Sequence, residues 1–233
     1  MKFHALIPIK DHSERVPGKN FRMLLGKPLW EHIVSTLTGM DEVVSININT
    51  DSPRFSVQTL EPYPKVRIIV RPPGLCGDFV PTNKLFAHDL SLIPDDGLPF
   101  LQTHTTNPLL TAETLRRAFA QFTHKASCGS ADSLFSVTPY FARFYRRDLS
   151  PVNHDPHILL RTQDLDPLLE ENSNFYLFTR SSFASTGARI GARPALFEMD
   201  RLEATDIDDE ASWLLAEALL RLRLEGRWYG LAS

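Results

Sequence analysis

Between Ile9 and Asn20 the chain sets Lys10, Arg15 and Lys19, with Ser13 and Asn20, around a Pro17-Gly18 turn. Backbone N–H groups in a glycine-containing turn bind phosphate oxygens, and lysine and arginine neutralise the charge spread over them. The same composition also describes a solvated charged loop. It is not a P-loop: Gly-x4-Gly-Lys-Ser/Thr is absent, as is Gly-x-Gly-x-x-Gly, so ATPase and dinucleotide readings have no motif behind them. A second group is Asp206-Ile207-Asp208. In an extended segment residues two apart point to the same side, so both carboxylates face one way. Such a pair offers the oxygen ligands that a divalent cation takes from protein, to be completed by phosphates and water. Alternatively, with Asp209 and Glu210, the pair complements the dipole at the start of the last helix.

These residues need a scaffold, and the hydrophobic periodicity supplies one. Ala5–Ile9 reads as a strand. Pro28–Leu37 reads as a helix with Leu29, Ile33, Val34 and Leu37 on one face and Pro28 in its first turn. Val43–Asn49 and Val66–Val70 read as strands, each halted by turn residues, and Thr82–Leu92 as a helix. Pro99–Thr103 is a further strand, and Thr111–Phe122 is a helix with Thr111 as its cap. Asn174–Phe178 and Leu196–Met199 are strands, and Asp209–Leu224 is a long closing helix with Gly226 just past its end. Strands alternating with helices predict an α/β layer fold with a largely parallel sheet. Binding residues then cluster at the carboxyl ends of the strands, which points to residues 9–20, 71–83 and 103–110. Trp30 and Trp213 stand at helical spacing among apolar neighbours and are expected in the core.

Composition narrows the possibilities. The 25 Lys+Arg against 28 Asp+Glu give a net charge of −3, which argues against a nucleic-acid binder. Cys76 and Cys128 make neither a disulfide framework nor a zinc spacing, and read as reduced thiols of a cytoplasmic protein. The first apolar run is interrupted by Pro8 and is too short for a signal peptide, and no run reaches the roughly 18 residues of a spanning helix, so no membrane role is expected. The length suits one domain with a modest excursion. From Pro139 the alternation breaks: Phe141-Ala142-Arg143-Phe144-Tyr145-Arg146-Arg147 mixes aromatic and basic residues ahead of turn-rich sequence. Residues 139–170 are expected to project from a core formed by 1–138 and 171–233, as an ordinary hairpin or as an interface arm.

Several short motifs, in order, give this scaffold a family likeness. Ser13-x-Arg15-x-Pro17-Gly18-Lys19-Asn20 is followed by Gly26-Lys27-Pro28-Leu29, then Arg71-Pro72 and Asp78, then Thr106-Asn107-Pro108-Leu109. Glu171-Asn172 with Tyr176, Arg189-Ile190-Gly191 and Asp206-Ile207-Asp208 complete the series. Each is weak alone; the ordered series resembles the acylneuraminate cytidylyltransferase family over nearly the whole chain. The resemblance implies a three-layer, mostly parallel, nucleotide-diphospho-sugar transferase-like (Rossmann-like) domain with a β-rich dimerisation excursion, and hence a homodimer. It implies transfer of CMP from CTP to the anomeric hydroxyl of a sialic-acid-like nonulosonic acid, with Mg²⁺ as cofactor and pyrophosphate released.

Carried over residue by residue, the resemblance implies that Arg15 and Lys19 hold the triphosphate and stabilise charge at the α-phosphate. Lys10, Ser13 and Asn20 would assist in binding CTP, Arg71, Thr82 and Asn83 would line the cytosine pocket, and Asp206 and Asp208 would hold Mg²⁺. Gln102, His104, Arg161, Gln163, Asn172 and Tyr176 fall on the acceptor side, where a sugar carboxylate calls for arginine and amide donors. On their own chemistry, Arg71 could equally make a strand-end salt bridge, Asn83 could cap a helix, and the acceptor-side residues could form a core or interface hydrogen-bond network. The chain departs from the family pattern at Lys10, where an arginine is common and its bidentate fork is lost. It departs also at Glu14, at His104 in place of a glutamine, and across residues 74–83. These departures lie around the loop and the sugar pocket, so the likeness carries CTP chemistry further than any one sugar. Another 3-deoxy-2-keto sugar acid as acceptor, or a catalytically silent nucleotide-binding relative, are the alternatives.

Overall fold

The computed structural model describes residues 1–77 and 79–227; Asp78, part of the third-loop motif, and residues 228–233 lie outside the described residues. In chain order the elements are β1 (Phe3–Ile9), β2 (Met23–Leu24), β3 (Lys27–Pro28), α1 (Leu29–Thr38), β4 (Val43–Thr50), α2 (Val57–Leu60), β5 (Val66–Val70), α3 (Thr82–Leu92) and β6 (Phe100–Thr103). They continue as α4 (Ala112–Ser127), β7 (Ser133–Tyr140), β8 (Leu168–Phe178), α5 (Arg180–Thr186), β9 (Pro194–Glu198) and α6 (Glu210–Leu224). Seven strands form one sheet in the order β5-β4-β1-β6-β8-β7-β9, in which β8 runs antiparallel to both neighbours and the other pairings are parallel. The expected mostly parallel α/β sheet is therefore present.

β1 sits in the middle of that sheet and is apolar on both faces, as a strand covered on both sides must be. Phe3, Ala5, Ile7 and Ile9 face one layer with Trp30, Ile33, Val34 and Leu37 of α1 and Leu115, Ala118, Phe119 and Phe122 of α4. Leu6 faces the other, with Phe86 and Leu90 of α3 and Phe183 of α5. Helices on both faces make three layers. Trp30 and Trp213 are both buried in cores, as their spacing predicts. No helix among the described residues is long and apolar enough to cross a membrane.

Three local expectations are corrected. Pro28 closes β3 and caps α1 rather than opening its first turn. Asn83 is not a helix cap: α3 begins after Pro81, and no side chain caps it. β8 reaches back to Leu168 and β7 forward to Tyr140, so the excursion proper is 141–167. Its one β pairing is an isolated bridge between Tyr145 and Pro151, so this segment is not rich in strands. Pro151, Pro156 and Pro167 remove the N–H groups a ladder would need. Asn153 does the bracing instead: Nδ2 donates to the carbonyls of Ala142 (2.9 Å) and Asp166 (3.2 Å), and Oδ1 accepts from the N–H of Phe144 at 3.1 Å.

Candidate active site

The chain runs from β1 outward to β4 and β5, then returns to β6 on the other side of β1. At such a reversal the loops leaving the two central strands part and leave a crevice at the strands' carboxyl ends. The loops after β1 and β6 are two of the three that the sequence singled out. Asn20 ties them together: its Nδ2 donates to the Lys10 carbonyl at 2.8 Å, and its Oδ1 accepts from Thr105 Oγ1 at 2.5 Å. Gly18, at φ +62°, takes the left-handed turn that folds the chain back into a short 3-10 turn over Lys19–Phe21.

A cleft of about 420 Å³ opens here, lined by Lys10, Ser13, Arg15, Lys19, Asn20, Arg71, Thr82 and His104 among others. Eight of the residues predicted from sequence thus meet at one place. Arg71 is buried at 4% exposure, where Nε donates to Asn49 Oδ1 at 2.7 Å and Nη2 to the carbonyls of Asn49 (3.0 Å) and Ile9 (3.3 Å). Asn83 lines a neighbouring depression with Thr82 and Arg189.

α6 positions the carboxylate pair. Its Trp213, Ala216, Leu219 and Leu220 pack on Val16 of the β1 loop, on Leu109 and on Ile207. Ile207 is fully buried, and its N–H donates to the Thr106 carbonyl at 2.9 Å. With the middle residue driven inward, Asp206 and Asp208 both face a second cleft of about 710 Å³, which Asn172 also lines. Asp209 does not join them. It caps α6, accepting the Ser212 N–H at 2.8 Å in a reciprocal capping box.

The two clefts meet where cations face carboxylates. Arg15 Nη2 donates to Asp208 Oδ1 at 2.7 Å, and Lys19 Nζ to the Ile207 carbonyl at 2.7 Å. The Arg15–Asp208 pair is more than half exposed on the arginine side and contributes only about 0–1 kcal/mol, so a phosphate can exchange for it readily. Burial lowers the Lys19 pKa, opposed by Asp206 and Asp208 and reinforced by Arg15. Burial raises the Asp206 pKa, aided by Asp208 and opposed by a hydrogen bond from Thr106 and by the charges of Lys19 and Arg15. No group of three or more His, Cys, Asp or Glu side chains gathers as a complete metal cage among the described residues. Two carboxylates beside the Arg15 and Lys19 cations nevertheless fit Mg²⁺, which uses one or two protein carboxylates and completes its octahedron with phosphates and water.

The acceptor-side residues divide. Gln102 and Tyr176 lie on neighbouring strands β6 and β8 and are bridged by Arg189, a residue of the family-like motifs to which the sequence assigned no role. Arg189 Nη1 donates to Gln102 Oε1 at 2.7 Å and Nη2 to the Tyr176 hydroxyl at 2.9 Å, and the guanidinium lies 3.6 Å from the Tyr176 ring centroid. Tyr176 in turn donates to Glu171, and burial pushes its pKa up to about 12. Gln102 Nε2 donates to His104 Nε2 at 2.9 Å. Burial, then the positive charges of Arg189 and Lys19, lowers the His104 pKa to about 3, so it is a neutral acceptor. A polar chain thereby runs from Glu171 beside the second cleft to His104 in the first. Arg161 and Gln163 are not brought to either cleft: they stand exposed on the excursion, with Arg161 paired to Asp164 at 2.6 Å.

A central parallel sheet with a cationic loop at its reversal, faced by a carboxylate pair, defines a nucleotidyltransferase-type α/β protein. Comparison with known proteins makes this specific. The family described as Cytidylyltransferase has a model that matches residues 4–206, and the chain belongs to that family. It is similar to a pseudaminic acid cytidylyltransferase of Campylobacter jejuni, 24% identical over 237 residues, covering 97% of this chain and 99% of the relative. It is similar also to a CMP-N,N'-diacetyllegionaminic acid synthase of Legionella pneumophila, 27% identical over 240 residues, covering 97% of this chain and 99% of that protein. Among solved structures, a CMP:2-keto-3-deoxy-manno-octonic acid synthetase complexed with CTP shares the fold, with a TM-score of 0.65 at 15% identity over 96% of this chain and 100% of the other.

Proposed function

We propose that this chain transfers CMP from CTP to the anomeric hydroxyl of a nonulosonic acid. In that reaction a bond forms between the hydroxyl oxygen and the α-phosphorus, the bond from the α-phosphorus to its bridging oxygen breaks, pyrophosphate leaves, and the hydroxyl proton is lost. The observation that carries this reading is the meeting of Arg15 and Lys19 with Asp206 and Asp208 at the seam between two clefts. One cleft suits a nucleotide and the other an acceptor, and the phosphorus to be attacked would lie between them. The relatives of Campylobacter and Legionella, matched over nearly their whole lengths, support a nonulosonic acid as the acceptor class.

In such transfers the protein contributes positioning and fixed charge more than covalent chemistry. Lys19 and Arg15 hold the triphosphate, with Lys10, Ser13 and Asn20 supporting the loop and its phosphate contacts. Arg71 faces the cytosine edge, with Thr82 and Asn83 beside it. Asp206 and Asp208 would hold Mg²⁺, which when bound neutralises phosphate charge and orients the phosphates. Gln102, Asn172 and Tyr176 would serve the acceptor, Gln102 and Tyr176 being held by Arg189, while His104, bonded to Gln102, would reach it from the first cleft. The exposed Phe141, Tyr145, Leu149, Ile158 and Leu159 of the excursion support its seating on a second copy in a homodimer. Arg161 and Gln163, remote from the clefts of their own chain, would meet sugar acid only across that pair.

The test is calorimetric binding of CTP, ATP, GTP and UTP with and without Mg²⁺, followed by pyrophosphate release over a panel of sugar acids. Selective, metal-strengthened CTP binding with turnover on a nonulosonic acid is expected. Turnover on an eight-carbon 2-keto-3-deoxy sugar acid alone would reassign the acceptor, and absence of nucleotide binding would leave a silent relative.

A further inference from the structure

Behind the part of the first cleft lined by Arg71, three buried polar side chains form a chain of hydrogen bonds. Asp89, in the middle of α3, and Asn49, near the end of β4, are both fully buried, and Arg71 follows β5 directly. Asn49 Nδ2 donates to Asp89 Oδ1 at 2.5 Å, and Arg71 Nε donates to Asn49 Oδ1 at 2.7 Å. A carboxylate accepts and a guanidinium only donates, so the amide between them has a single orientation that suits both. Turned over, it would set its NH2 against the Arg71 N–H and its oxygen against the Asp89 carboxylate.

The rest of the guanidinium is equally constrained. Nη2 is taken up by the carbonyls of Asn49 and Ile9, at the ends of β4 and β1. Nη1 is buried without a hydrogen-bond partner among the described residues; its nearest carboxylate oxygen, Asp51 Oδ2, is 3.9 Å away. Arg71 therefore keeps one nitrogen for a ligand while every other contact sets its direction.

Asp89 is an expensive residue for its position. α3 otherwise buries Leu85, Phe86 and Leu90 there. Asp89 Oδ2 has no hydrogen-bond partner among the described residues, and burial raises the pKa of the carboxyl against the pull of Asn49, His88 and Arg71. His88, 3.6 Å away, is the other titratable group facing it. A well-packed apolar side chain would cost less than a half-satisfied buried carboxylate.

We infer that Asp89 and Asn49 are positioning residues for nucleobase choice: by fixing the amide, they fix the donor face that Arg71 turns to the base, without either of them touching the nucleotide. The inference rests on the reading that Arg71 meets the base. Cytosine carries an acceptor at N3 where uracil carries a proton, so a donor fixed in direction at that edge favours CTP over UTP.

The experiment is calorimetric binding of CTP and UTP to the full chain, scored as the ratio of their affinities so that shared phosphate contacts cancel. Asp89→Asn, which lets the Asn49 amide turn, is expected to lower the CTP preference about tenfold, the scale of one misdirected buried hydrogen bond. Asn49→Asp sets two carboxylates together and is expected to lower it as well. The double variant Asp89→Asn with Asn49→Asp rebuilds the chain, with an amide donating to a carboxylate that accepts from Arg71, and is expected to restore the preference. Asp89→Leu, apolar like its helix neighbours, removes the acceptor without adding a second amide and supplies the same test if the polar variants are unstable. Arg71→Gln separates the two readings. If it leaves the preference unchanged, Arg71 does not read the base. If it abolishes the preference while the Asp89 variants lower both affinities equally, and the swap restores nothing, Asp89 and Asn49 serve packing alone and the inference is overturned.

Discussion

At the scale of single residues, charge is disposed by burial as much as by identity. Lys19 is drawn inward far enough to bond a backbone carbonyl, whereas Arg15 stays at the surface in a pair that a phosphate can replace. Lys19→Ala should therefore lower kcat on the order of 100- to 1000-fold, the scale of removing one preorganised donor from developing charge, with circular dichroism unchanged. Asp208→Asn should abolish the Mg²⁺-dependent part of pyrophosphate release with the fold intact; unaltered Mg²⁺ titration would remove Asp208 from the metal site. His104 gives a prediction of opposite kind. Its pKa lies at about 3 in the folded chain against 6.5 when unperturbed. Below about pH 6.5 the unfolded chain thus takes up a proton that the folded chain refuses. This contribution to stability is complete above that pH and is lost progressively as the pH falls toward 3. His104→Gln should lose less melting temperature than the parent between about pH 7 and about pH 4.5. Equal losses would mean that His104 is not held neutral.

At the scale of elements, the carboxylate pair depends on α6. The capping box of Asp209 and Ser212 satisfies the first turn, and the apolar face of the helix pins Ile207 between the two aspartates. Asp209→Ala should cost about 1 kcal/mol in denaturant unfolding, and a weakened cap should raise the Mg²⁺ concentration needed for half-maximal activity by loosening the segment ahead of it. Gly191 works by close approach: a Cβ there would come 2.2 Å from Asp132 Oδ1, whose carboxylate receives the N–H groups of Ala192 and Arg193. Since those bonds anchor the stretch that follows Arg189, the loop has no room for a side chain.

At the scale of the whole molecule, the excursion and the sheet are separable. β7 and β8 are antiparallel neighbours, so their facing ends at Tyr140 and Leu168 can be joined by a short turn. A chain with 141–167 so replaced should keep its sheet and sediment as a monomer, where the intact chain is expected to sediment as a dimer. A dimeric shortened chain would show that pairing lies elsewhere.

Much of this molecule was legible in its residues. β5 and α3 fall on the predicted boundaries, and Thr111 caps α4 as expected, whereas Asp209, expected inside the first turn of α6, caps it instead. Periodicity and caps are local properties, so a strand buried on both faces or a helix with one apolar stripe declares itself within a few residues. The cationic loop and the Asp206–Asp208 pair stood out as candidates, but their composition fits a solvated loop and a helix-dipole role as well, and the ordered family-like motifs were what favoured a site. What only the tertiary structure decided are the partnerships. Arg189 reaches Gln102 and Tyr176 across strands, Asp89 reaches Arg71 through Asn49, and Arg161 and Gln163 stand away from the clefts. Each depends on which strands become neighbours and on where a side chain loses its water. Neither is a property of spacing along the chain, and both follow from burying the apolar faces of the sheet between its helices.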